Sequence, residues 1–172
     1  MIPSQLRLPH PYAQELVSDR AAVVAAYGGM GRATNQVLGT LGAAYVNIAN
    51  YTEQRFNPNV NVTTDLVTGY YSVLRASVYN LSFEFGFTCT SVNTGRNFNA
   101  RIFNVTDNVA IGDVFPIFVG RDTDGGSASA SVLFNLPAAG VGKNLVLQLG
   151  GGDSLSTFTI THMVLSISGA GT

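Results

Sequence analysis

Between Leu81 and Thr90 the chain alternates without a break. Leu81, Phe83, Phe85, Phe87 and Cys89 take one side, and Ser82, Glu84, Gly86, Thr88 and Thr90 take the other. Successive side chains of a strand point to opposite faces, whereas a helix would scatter these phenylalanines around its axis, so the run is a β-strand with one apolar face. Such a strand needs a second layer to cover it. Leu145, Leu147 and Leu149 repeat the pattern. In Leu155–Ser168, Phe158, Ile160, His162 and Val164 share one face, while Met163, Leu165 and Ile167 share the other. The apolar side therefore switches near His162, which predicts a bulge or burial on both faces. Further candidate strands are Ala44–Ala49, Val60–Thr63, Tyr70–Thr90 with a break near Ser77–Asn80, Arg96–Val105, Val114–Val119 and Ser129–Leu136. Turn clusters such as Asn57-Pro58-Asn59, Asn93-Thr94-Gly95 and Gly150 to Asp153 separate them. About eight strands at short spacing predict an all-β fold, a jelly-roll β-sandwich, over residues 44–172.

Residues 1–43 read differently. Pro3, Pro9 and Pro11 favour extended backbone, while Leu16, Val23 and Tyr27 follow a helical spacing between Pro11 and the stop at Gly28-Gly29. The expectation is an extended or partly helical N-terminal arm. Its large apolar residues Ile2, Leu6, Leu8, Tyr12 and Leu16 are the candidate anchors by which it lies on a neighbouring molecule.

Charge narrows the function. Only 11% of the 172 residues are charged and the net charge is −1, against about 25% charged in an ordinary soluble domain. From Ser127 to Thr172 the only charges are Lys143, which is the sole lysine, and Asp153. Interface cores are depleted in Lys, Glu and Asp, so this is the composition of a subunit whose surface is covered by other molecules. With no basic excess, nucleic acid is not an expected partner. The least polar run, Ala21–Met30, is half the length a membrane-spanning helix needs. Met1–Arg7 lacks the pattern of a secretory signal, so the expectation is a soluble, non-exported chain, and the sequons at Asn61 and Asn104 carry no weight.

Few residues offer chemistry. Asp122-Thr123-Asp124-Gly125-Gly126 has alternate carboxylates but lacks the terminal glutamate of a calcium loop, so it reads as an acidic turn. Asp107, close to Asn104, reads as a turn with an Asx-type bond. His10 sits between prolines, and His162 lies mid-strand with no serine elbow or carboxylate motif to make it a base. Cys89 belongs to the phenylalanine face and is a small core residue. Gly28-Gly29-Met30-Gly31 is followed by no Lys-Ser/Thr pair, as a phosphate loop would be. The glutamates Glu15, Glu53 and Glu84 form no pattern for glycoside hydrolysis. The sequence predicts no enzyme activity, no catalytic or metal-binding residue and no cofactor. Carbohydrate binding is the open alternative, because of Tyr70-Tyr71, adjacent residues of which one faces away from the core, and Tyr79. An outward tyrosine suits a protein interface at least as well.

Tyr70 to Thr90, and the run Asn99-Ala100-Arg101-Ile102-Phe103-Asn104-Val105-Thr106-Asp107 leading to Val109-Ala110-Ile111-Gly112-Asp113, resemble jelly-roll modules of tailed-bacteriophage virions. These include capsid cement or decoration proteins and fibre heads, and the resemblance covers residues 60 to 168. It implies a homo-oligomer, a trimer, that binds the major capsid protein across capsomer seams on the outer surface of the capsid. A receptor- or carbohydrate-binding fibre head is the alternative it implies. The arm has no coiled-coil heptad or collagen-like repeat of a fibre stalk, which favours cement.

Overall fold

A computed structural model of the chain describes residues 27–56, 58, 61–90, 96–120, 125–136 and 142–169. The arm anchors Ile2, Leu6, Leu8, Tyr12 and Leu16, together with His10, the helix expected from Pro11 and the acidic residues Asp122 and Asp124, lie outside them.

The described residues contain twelve strands and no helix. They are β1 (Tyr27–Arg32), β2 (Gln36–Leu41), β3 (Val46–Asn47), β4 (Glu53–Phe56), β5 (Val62–Asp65), β6 (Tyr70–Val73), β7 (Ser77–Thr90), β8 (Arg96–Asn104), β9 (Val109–Val119), β10 (Gly125–Leu136), β11 (Asn144–Gly150) and β12 (Leu155–Gly169). Sheet one runs β10–β7–β12–β1–β4, with β2 also on β12, and sheet two runs β5–β6–β11–β8–β9, with β3 also on β11. All pairings are antiparallel and the two sheets face each other as a jelly-roll sandwich, the expected architecture.

The phenylalanine row forms the middle of the core. Phe83, Phe85 and Phe87 of β7 point between the sheets and are buried. Phe87 stacks on Phe158 of β12 at 5.2 Å between ring centres, and Phe98 of β8 stands edge-on to both at 5.3 and 5.1 Å. One ring from sheet two thus abuts a stacked pair from sheet one. Aromatic pairs in such geometry add about 0.5–1.5 kcal/mol each beyond the area they bury. Cys89 is buried in the same cluster, as expected.

The switch near His162 is a bulge. Phe158 and Ile160 point inward, the register slips between Ile160 and His162, and Met163, Leu165 and Ile167 point inward beyond it. The slip falls at a joint: β2 pairs with residues 155–160 of β12 and β1 with residues 163–168.

The boundary at residue 44 needs correction, since residues 27–41 of the stretch read as arm are built into sheet one as β1 and β2. Their glycines suggested loose backbone, but in β1 Gly28 and Gly31 mark close approach instead, while Gly39 of β2 takes a φ of +77°. A Cβ at Gly31 would lie 2.4 Å from Nε of Arg55, whose side chain crosses the strand there. Met30 between them is fully buried. β4 also gave no strand signal, and of Ala44–Ala49 only Val46–Asn47 is strand.

The turn at Asp107 is as expected. Asn104 Oδ1 accepts from the Asp107 N–H at 3.1 Å, and Asn104 Nδ2 donates to Asp107 Oδ2 at 2.9 Å. Lys143 forms an ion pair with the same carboxylate. The pair is partly exposed, so Lys143→Met should lower stability by only about 0.5 kcal/mol in urea unfolding. The sole lysine is not what holds this fold together.

Candidate interaction site

Two surfaces of the sandwich are built unlike the rest. The first is the outer face of sheet one. Its side chains fall into rows that cross the strands. One row is Ser131, Ser82, Ser166 and Gly29; the next is Ser129, Glu84, Val164 and Gly31. In a third, Ser127 and His162 flank Gly86. The imidazole lies over Gly86, where a Cβ would come within 2.3 Å of it, and Nδ1 is 3.4 Å from Thr161 Oγ1. The short side chains of the first row leave a depression of about 430 Å³ over Ser82, Ser129, Ser131 and Ser166, bordered by Glu84 and Val164. Glu84 is exposed on it, as the alternation predicted. A serine- and glycine-paved face lets another backbone come close, while a face meant for water alone normally carries Lys and Glu.

The second surface is the end of the sandwich where β9 and β10, the last strands of their sheets, lie side by side. They come close where Gly112 leaves room for Val132; a Cβ on that glycine would be 2.5 Å from Val132 Cγ1. Further along they part, and a groove of about 380 Å³ opens between Phe115, Ile117 and Phe118 on one side and Ala128 and Ala130 on the other. Phe83 forms its floor, with its ring edge-on to Phe115 at 5.6 Å. Phe118 is 68% exposed. An uncharged edge strand as long as β10 beside exposed aromatic surface is a template for contact with another chain.

The tyrosines divide. Tyr70 is half-buried on the outside of sheet two. Tyr71 is a correction: it is fully buried and cannot meet a partner. Its hydroxyl accepts from the Met30 N–H at 3.0 Å and donates to the Leu165 carbonyl, tying β6 to both β1 and β12 of the opposite sheet. Burial pushes its phenol well above the ordinary value. Tyr79 is buried too, its hydroxyl donating to the Arg75 carbonyl at 2.7 Å. Two of the three candidate sugar platforms are therefore core residues. Among the described residues no group of three His, Cys, Asp or Glu side chains is placed to hold a metal ion, and no helix is long and apolar enough to cross a membrane.

Sequence reasoning passed over Phe115, Phe118 and the serine rows. The signal for the rows was present: Ser127-Ala128-Ser129-Ala130-Ser131 alternates with period two.

A two-sheet antiparallel jelly roll is a known class of fold. No protein-family model and no curated protein sequence matches the chain. Among solved structures it is similar to the globular domain of zebrafish complement 1qA protein, at 13% identity and a TM-score of 0.53 over 83% of this chain and 95% of that one. It is also similar to the vertex protein P5 of PRD1, at 14% identity and a TM-score of 0.52 over 86% of this chain and 98% of that one. At such identities the shared property is the fold.

Proposed function

We propose that the chain is a structural subunit of a virion, which joins copies of itself in a ring and acts as cement on the outer surface of the capsid, held to the major capsid protein. The observation that carries self-assembly is the presence of two unlike surfaces, an apolar edge at β9–β10 and a serine-lined depression on β7, β10 and β12. Unlike surfaces on one chain meet head to tail, and such contacts close into a ring when the rotation allows. The number three follows from the resemblance to phage jelly-roll trimers. The scarcity of charge supports covered surfaces, and the fold shared with PRD1 vertex protein P5 supports a place in a virion.

In this reading the work is mechanical, with no catalytic residue. A trimer across a capsomer seam adds contacts that must break before the shell opens. Three subunits held together also share the cost of docking, which raises avidity. The arm anchors Ile2, Leu6, Leu8, Tyr12 and Leu16 add apolar burial on the shell, worth about 25 cal/mol per Å² removed from water. The test has two stages. Light scattering should give three times the 18.1 kDa of the chain; a monomer at millimolar concentration overturns the ring. Deleting residues 2–16 should weaken binding to purified shells, and unchanged affinity overturns the cement role of the arm. Glycan-array binding without shell binding would instead establish the receptor-binding head.

A further inference from the structure

The outer face of sheet two carries one side chain that is held far more firmly than a surface arginine needs to be. Asn47 of β3, Gln148 of β11 and Arg101 of β8 stand directly opposite one another across three strands. Arg101 Nε donates to Gln148 Oε1 at 2.8 Å, and Gln148 Nε2 donates to Asn47 Oδ1 at 2.7 Å. The guanidinium carbon lies 3.6 Å from the centre of the Tyr45 ring and 4.6 Å from that of Phe103. Tyr45 is itself pinned, because its ring rests on Gly151, where a Cβ would come within 2.3 Å of the phenol oxygen.

Everything about this arrangement fixes the plane of the guanidinium and leaves its outer edge free. Arginine has five N–H groups, and Gln148 takes the one on Nε. No carboxylate pairs with it among the described residues. The Arg101, Tyr45 and Phe103 side chains are all half-buried, so the edge is open to a partner and partly screened from water.

We propose that Arg101, clamped by Tyr45, Phe103 and Gln148, is a carboxylate-binding site on the outer face of sheet two, the seat for an aspartate or glutamate side chain of a partner protein. The fork of a guanidinium matches the two oxygens of a carboxylate, and orienting it beforehand removes part of the entropy cost of binding. A single cation suits a monoanion better than a phosphate. The aromatic faces that a sugar would stack on are already taken by the guanidinium. The site does not depend on the ring proposed above, because neither surface of that ring includes it.

The test is an NMR titration of the full-length protein with sodium acetate, inorganic phosphate and galactose, with sodium chloride at matched ionic strength as reference. Side-chain N–H signals of the arginines are followed. The Arg101 signals should shift saturably, with a midpoint about tenfold lower in acetate than for the other arginines, equivalent to about 1.4 kcal/mol, and the Tyr45 ring signals should move in step. Tyr45→Ala should return Arg101 to the response of the others. Arg101→Lys keeps the charge but loses the fork, and should abolish the acetate response of the Tyr45 ring while leaving the fold intact. An Arg101 response no stronger than that of the other arginines, a chloride effect equal to that of acetate, or tighter binding of phosphate or galactose overturns the assignment.

Discussion

Ser82→Arg and Phe118→Asp are each expected to break the ring, and an equimolar mixture of the two variants is expected to give a dimer. Ser82 is at the middle of the row Ser131–Ser82–Ser166–Gly29, so a long cation there stands in the path of any surface resting on that face. Phe118 is the most exposed aromatic of the groove, and a carboxylate in its place would be desolvated against apolar surface on assembly. Each change should weaken association by about 3 kcal/mol or more, at least a hundredfold in the dissociation constant. The mixture separates two geometries. If the edge of one copy meets the face of the next, the Ser82→Arg variant still has a sound edge and the Phe118→Asp variant still has a sound face. One good junction then forms, and the ring cannot close. If the contact were two-fold symmetric, face on face, Phe118→Asp alone would leave assembly intact. Light scattering reads the parent, both variants and the mixture, and trimers from either single variant would sink the edge-to-face arrangement.

Tyr71→Phe is expected to lower stability by about 2–3 kcal/mol, since a buried donor left unpaired costs about 1–3 kcal/mol and a carbonyl loses its partner as well. For a domain of this size that is a fall in Tm of roughly 4–12 °C. The volume of the core barely changes, so the loss belongs to the two hydrogen bonds between the Tyr71 hydroxyl and Met30 and Leu165. The same phenol makes the fold sensitive to alkali. Burial raises the Tyr71 phenol, and it raises Tyr51 too, whose hydroxyl is buried and meets no partner among the described residues. A folded-state pKa above the unfolded value means the folded chain keeps a proton that the unfolded chain releases. Stability is therefore complete below the ordinary tyrosine value of about 10 and falls as pH rises above it, by up to about 1.4 kcal/mol per pH unit for each phenol. Urea midpoints between about pH 8 and 11.5, a window spanning that value, should show this, with a shallower fall in Tyr71→Phe. A midpoint independent of pH, or a variant as stable as the parent, would mean that the hydroxyl is not the cross-sheet tie.

Period-two alternation is a local property, which is why the phenylalanine row of β7, the leucines of β11 and even the slip at His162 could be read from consecutive residues. Scarcity of charge is likewise visible without coordinates, and so is the turn at Asn104 and Asp107, because its hydrogen bonds join residues three apart. The alternation of Ser127, Ser129 and Ser131 was equally legible, but it acquires meaning only when β7 and β12 bring Ser82 and Ser166 into line with it.

Other features depend on partners distant in the chain. β1 and β2 are strands because β12 offers them an edge, and the glycines of β1 are tolerated because Arg55 and the facing sheet occupy the space a side chain would need. Nothing in Tyr70-Tyr71 says which ring turns inward; the choice follows from Met30 and Leu165, 41 and 94 residues away. Arg101 in isolation is one arginine among several, and the clamp appears only when Tyr45, Phe103 and Gln148 are folded around it. Alternation and charge therefore determined that this chain is a two-layer β fold with little to hold off a neighbour. Which edge stays open, which face gathers the serines and which arginine is held ready were decided by packing, because each depends on groups that meet only after the sheets have paired.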